Sequence, residues 1–88
     1  MKGDKAMSST DEQINSRILA FIRKRVPDAD VADLDRPIYD LDVDSLDVVD
    51  LTNALEGEFA VQADLDRVSE CLTLADLRTY FQELIGAP

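Results

Sequence analysis

Two residue patterns in this chain could carry chemistry, and both lie between residues 40 and 51. The first is Ser45, set in the run Asp44-Ser45-Leu46-Asp47-Val48-Val49-Asp50-Leu51. Asp44 is a favourable helix N-cap residue and Asp47 follows three positions later, so the spacing predicts a helix that opens here. A hydroxyl at such a start stands exposed at a loop-to-helix junction. The unclaimed N–H groups and the positive dipole end stabilise an anion esterified to it. Ser45 therefore suits a phosphate ester; by position alone it also reads as an ordinary first-turn serine. The second pattern is Asp40-x-Asp42-x-Asp44, the ligand spacing that opens a calcium-binding loop. That pattern breaks twice, because Ser45 stands where the sharp turn needs glycine and Leu51 where a bidentate glutamate should close the shell.

Composition removes most other chemistry. The 88 residues include no histidine and one cysteine, Cys71. No Ser-His-Asp or Cys-His arrangement is possible, and no Cys/His metal cluster or internal disulfide can form. Without histidine or a well-placed lysine, no nucleophile and base can be paired, so the chain is not expected to be an enzyme. A formal net charge of −10 opposes nucleic-acid binding, which needs a basic face to displace counterions. It favours basic protein partners met with electrostatic steering. No apolar run is long enough to span a membrane, and no signal-peptide core opens the chain, so a cytoplasmic protein is expected; with no large apolar patch predicted, it is expected to be a monomer. Cys71 reads as a small buried hydrophobe.

The elements that must position Ser45 follow from period and caps. Residues 1–9 are polar and aperiodic and are expected to be disordered, leaving 10–86 as one domain. Ser9 or Thr10, followed by Glu12 or Gln13, predicts the start of a first helix. Ile14, Ile18, Phe21 and Ile22 supply its apolar face, and Pro27 ends it. Residues 27–43 hold two prolines and six aspartates and predict a long loop, pinned to the core by Val31, Leu34, Ile38 and Leu41. A loop of that length in a compact domain is commonly functional. The second helix, from Asp44, buries Leu51, Leu55 and Phe59, and Gly57 weakens it near its end. A short helix fits Asp64–Glu70. Thr73 with Asp76 caps the last helix, whose inner face is Leu74, Leu77, Tyr80, Phe81, Leu84 and Ile85. No strand-period alternation appears. The fold class is all-α: a small bundle of three main helices plus one short helix, with a long loop between the first and second.

The run DSLDVVDL resembles the phosphopantetheine-attachment motif of acyl carrier proteins, in which an Asp-Ser-Leu triplet opens the second helix. The resemblance extends to Leu41-Asp42-Val43 before it, to Leu55-Glu56-Gly57-Glu58-Phe59 at the acidic end of that helix, and to Thr73-Leu74 at the last. It spans about residues 10–85. It implies that Ser45 accepts 4'-phosphopantetheine from coenzyme A, its oxygen attacking the coenzyme's pyrophosphate in the magnesium-bearing site of a phosphopantetheinyl transferase of the holo-acyl-carrier synthase type. The arm's thiol would then carry an acyl group as a thioester. Partners implied are acyl-transferring, condensing or ligase enzymes with basic docking patches.

Charge supports such docking independently: between Arg36 and Arg67 stand nine acidic residues and no basic one. Leu46 and Val49 fall on the outward side if Leu51, Leu55 and Phe59 face inward, and exposed apolar residues beside a site suit a transient interface; Val49 reads equally as partly core. The expected docking residues are Asp44, Leu46, Asp47, Val49, Asp50, Asn53 and Glu56. The resemblance also implies that an acyl chain can retreat between the helices, with Leu51, Leu55, Phe59 and Val68 as candidate lining. Departures stand at Asp42, where the family often has glycine, at Thr52, Asn53 and Gly57, and at Ala63-Asp64-Leu65 after Phe59. These point to a specialised fatty-acid, lipid or polyketide-type pathway. Remaining alternatives are an aminoacyl or peptidyl carrier, an unmodified acidic interaction module, and the calcium loop.

Overall fold

The computed structural model describes residues 5–86, with side chains from Thr10 onward. Helix α1 spans Lys5–Ile22, α2 Ser45–Phe59, α3 Leu65–Ser69 and α4 Leu74–Gly86. No strand forms among the described residues; the single β-bridge joins Pro37 and Thr73. The all-α reading with three main helices and one short one holds.

The first helix begins earlier than its capping box suggests. Ser9 and Thr10 lie inside α1 rather than at its start, so residues 5–9 are helical where disorder is expected from the sequence. Neither Gly nor Pro stands between residues 4 and 26 to stop the helix, and Lys5, Ala6 and Met7 are strong helix formers. The expectation for residues 1–4 lies outside the described residues.

The long loop is more ordered than its composition implies. It folds into two 3₁₀ turns, Val31–Asp35 and Ile38–Asp40. The first carries its own capping box, in which Asp30 and Asp33 each accept from the other's backbone N–H. Leu34 and Leu41 are buried as expected, but Val31 is 50% exposed, and Ala29 takes its place in the core. The Ile38 N–H donates to Leu72 O at 2.8 Å, tying the second turn to the α3–α4 link.

The core gathers Ile14, Ile18 and Ile22 of α1, Leu51 and Leu55 of α2, Val68 of α3, and Leu74, Leu77 and Phe81 of α4. Phe81 is the one fully buried aromatic among the described residues; Phe21, Phe59 and Tyr80 pack at its edge. Thr52 is completely buried in a position that suits an apolar residue. Its hydroxyl donates to Val48 O at 2.8 Å, so the helix itself satisfies the polar group. The chain leaves α2 through Ala60 in the left-handed region, at φ 56° and ψ 44°. A residue there closes the helix by freeing its N–H for an earlier carbonyl, here Glu56 O.

Candidate functional site

Ser45 is the first residue of α2 and is exposed. Its surroundings are fixed by a reciprocal cap. The Asp47 N–H donates to Asp44 Oδ1 at 2.9 Å, and the Asp44 N–H donates to Asp47 Oδ2 at 3.1 Å. The Val48 N–H takes up Asp44 O at 3.1 Å, the first bond of the helix. Helix geometry leaves four N–H groups at each N-terminus without an intrahelical partner. Here the cap uses that of Asp47, and those of Ser45 and Leu46 have no protein partner among the described residues. The serine hydroxyl therefore stands beside two open donors at the positive end of the helix, the condition that favours an anion.

A groove of about 620 Å³ opens next to this hydroxyl. That lies within the range of about 300–1,000 Å³ typical of small-molecule sites. Val43, Asp44, Ser45, Val48 and Val49 line it from α2 and its approach, and Leu65, Val68 and Leu72 from α3 and the link to α4. Ile38 and Tyr39 of the second 3₁₀ turn close a side, and Cys71 is part of the lining. Burial raises the Cys71 thiol pKa above its ordinary value, with Asp76 and Glu70 adding to the rise and Arg67 opposing it. The thiol is half-buried rather than fully buried.

Of the four residues expected to line an acyl site, Val68 alone borders the groove. Leu51 and Leu55 are fully buried in the central core, and Phe59 packs at its edge. None of these three lines the groove, whose α2 lining is Ser45, Val48 and Val49. The walls drawn from the long loop and the α3–α4 link were missed. They are joined by the Ile38–Leu72 hydrogen bond, which no local period signals.

The expected docking residues divide. Leu46 is 72% exposed, and Asp44, Asp50 and Asn53 are exposed. Val49 is half-buried in the groove wall. Asp47 is only 6% exposed, because its carboxylate is used in the cap and in an ion pair with Arg25 at 3.1 Å. Glu56 is half-buried, and its Oε2 accepts from the Ala63 N–H at 2.7 Å, fixing the turn out of α2. Asp40, Asp42 and Asp44 do not converge on a point: no three Asp, Glu, Cys or His side chains among the described residues are placed to hold a metal ion. No helix among the described residues is long and apolar enough to cross a membrane.

Comparison with known proteins reaches the same segment. A family model described as "Phosphopantetheine attachment site" matches residues 16–81. The chain is 35% identical over 80 residues to the acyl carrier protein of Thermotoga maritima, covering 85% of this chain and 95% of that one. It is 32% identical over 81 residues to the acyl carrier proteins of Rickettsia canadensis and Rickettsia rickettsii, covering 90% of this chain and 93% of theirs. No solved structure gives a significant match. An exposed serine at a capped helix start, an apolar groove beside it, and relatives matched over nearly their full length converge on one assignment: the chain belongs to the phosphopantetheine-bearing acyl carrier proteins, which are carriers and not enzymes.

Proposed function

We propose that Ser45 is the residue that receives 4'-phosphopantetheine, and that the chain carries acyl intermediates as thioesters in a specialised fatty-acid, lipid or polyketide-type pathway. The observation that carries this reading is the exposed Ser45 hydroxyl at the start of α2, opening onto an apolar groove. In the loading step the Ser45 Oγ forms a bond to phosphorus of the coenzyme A pyrophosphate, the adenosine bisphosphate leaves, and the serine proton passes to a base of the transferase. The open N–H groups of Ser45 and Leu46 hold the new phosphodiester anion, and the reciprocal Asp44–Asp47 cap keeps them pointed outward. The arm supplies a terminal thiol for thioester chemistry. Val48, Val49, Val68 and Leu72 shelter an apolar cargo from water.

Exposed Leu46 with Asp44, Asp50 and Asn53 forms the face offered to a transferase and to acyl-transferring, condensing or ligase enzymes. A net charge of −10 steers their basic patches toward it. A cytoplasmic monomer fits this role. The test is intact mass after incubation with coenzyme A, magnesium and a phosphopantetheinyl transferase. The chain should gain one phosphopantetheinyl group, and Ser45→Ala should gain none while keeping its circular dichroism. A gain that persists in Ser45→Ala refutes the assignment. Equal charging of this chain and a housekeeping carrier by standard fatty-acid synthesis enzymes counts against the specialised pathway.

A further inference from the structure

The acids on α2 are not equivalent. Asp47 has both carboxylate oxygens engaged: Oδ2 by the Asp44 N–H and Oδ1 by Arg25 Nη2 at 3.1 Å. Its side chain is 9% exposed, whereas that of Arg25 is 58% exposed. Glu56 is bound to the Ala63 N–H, and Glu58 pairs with Arg17 at 3.1 Å. Asp50 is left as the one α2 carboxylate with no hydrogen bond or ion pair among the described residues, and it is exposed. Two arginines of one helix and its following turn thus cover acids that the sequence alone would offer to a partner.

We propose that Arg25 is a specificity-determining residue for docking: by holding Asp47 it withdraws that carboxylate from a partner's basic patch and leaves Asp50 to be read instead. This rests on the acyl-carrier reading of Ser45. Asp47 lies two residues from Ser45, so it is the α2 acid that a transferase bound at the serine would otherwise meet first. Arg25 also puts a cation beside the docking face. A partner that places a lysine or arginine opposite Asp47 meets repulsion and a carboxylate already satisfied, and such juxtaposition selects against wrong partners. A partner whose basic residue lies opposite Asp50 binds without that penalty.

The experiment has two arms. In the first, a basic transferase loads coenzyme A onto wild type, Arg25→Ala, Arg25→Lys and Asp50→Asn, with KM for the carrier and kcat read separately. Arg25→Ala should lower KM by up to about fivefold, the ceiling for one exposed charge contact, with kcat unchanged. Arg25→Lys should restore the wild-type KM, and Asp50→Asn should raise it. A merely structural Arg25 would leave the KM of a folded Arg25→Ala unchanged or raised, and either result overturns the proposal. In the second arm, a hexa-arginine peptide is titrated while the side-chain carboxylate carbons are followed by NMR. Asp50 should shift and Asp47 stay still in wild type, with Asp47 responding in Arg25→Ala; an Asp47 shift in wild type overturns the proposal. The second arm decides the matter even if no variant gains mass, an outcome that would sink the Ser45 reading instead.

Discussion

The glycine of α2 stands three residues before the place where the backbone needs one. Gly57 sits inside the helix, and a Cβ added there meets no atom within 4 Å. Ala60 adopts φ 56°, ψ 44°, the left-handed conformation that glycine enters without penalty. Exchanging the two, Gly57→Ala with Ala60→Gly, should stabilise the fold. The first change gains about 0.8–1.0 kcal/mol of helix propensity with no clash to offset it. The second relieves about 1–2 kcal/mol of left-handed strain, less about 0.4–1 kcal/mol because glycine makes the unfolded chain more flexible. The pair should gain about 0.8–2.6 kcal/mol. For a domain of this size each kcal/mol moves Tm by roughly 4–8 °C, so a rise of about 3–21 °C is expected. Thermal melts followed by circular dichroism on both single variants and the double measure it. Ser45 lies at the opposite end of α2, so transferase loading should be unaffected. A double variant no more stable than wild type would refute the left-handed cap, the open space at Gly57, or both, and the single variants identify which.

Three further outcomes follow from the site and its supports. Asp47→Ala removes half of the reciprocal cap and the Arg25 ion pair, and should cost about 1–2 kcal/mol in urea unfolding. Asp50→Ala, on the same helix, should change stability by less than about 0.5 kcal/mol; similar losses for the two would contradict the cap. Cys71 should alkylate more slowly with iodoacetamide in the folded protein than in urea-unfolded chain at pH 8, since burial raises its pKa above the ordinary thiol value. The sign follows from that direction: the folded state holds the thiol proton more tightly, so the linked stability is intact below about pH 9 and declines as pH rises beyond it. A faster native rate would contradict it.

Local chemistry made much of this legible in the sequence. Asp44 with Asp47 and Thr73 with Asp76 each encode a helix start three residues wide, and both caps form: the Asp76 N–H donates to Thr73 Oγ1 at 3.0 Å and Asp76 Oδ2 accepts from Thr73. Asp64 caps α3 one-way, accepting from the Asp66 N–H two residues on. The same signal lay unread in the long loop, where Asp30 and Asp33 repeat the spacing of Asp44 and Asp47 and nucleate a 3₁₀ turn. What stayed hidden depends on residues distant in the chain. Arg25 reaches Asp47 across the 27–43 loop, Glu56 turns back on Ala63, and Ile38 and Leu72, both in the groove lining, are joined by a hydrogen bond. The four-residue stripe marks the buried face at Leu51 and Leu55, while Phe59 packs half-buried at the core edge. Burial keeps Leu51 and Leu55 from the groove, whose α2 lining is the half-buried Val48 and Val49.

Peptide-level mass spectrometry of the protein isolated from its own host tests the assignment of Ser45 most directly. The peptide containing Asp44-Ser45-Leu46 should carry phosphopantetheine on the serine, with any bound acyl group released by hydroxylamine as a thioester. An unmodified Ser45 peptide, or an arm found on Ser69 or another hydroxyl, would contradict it.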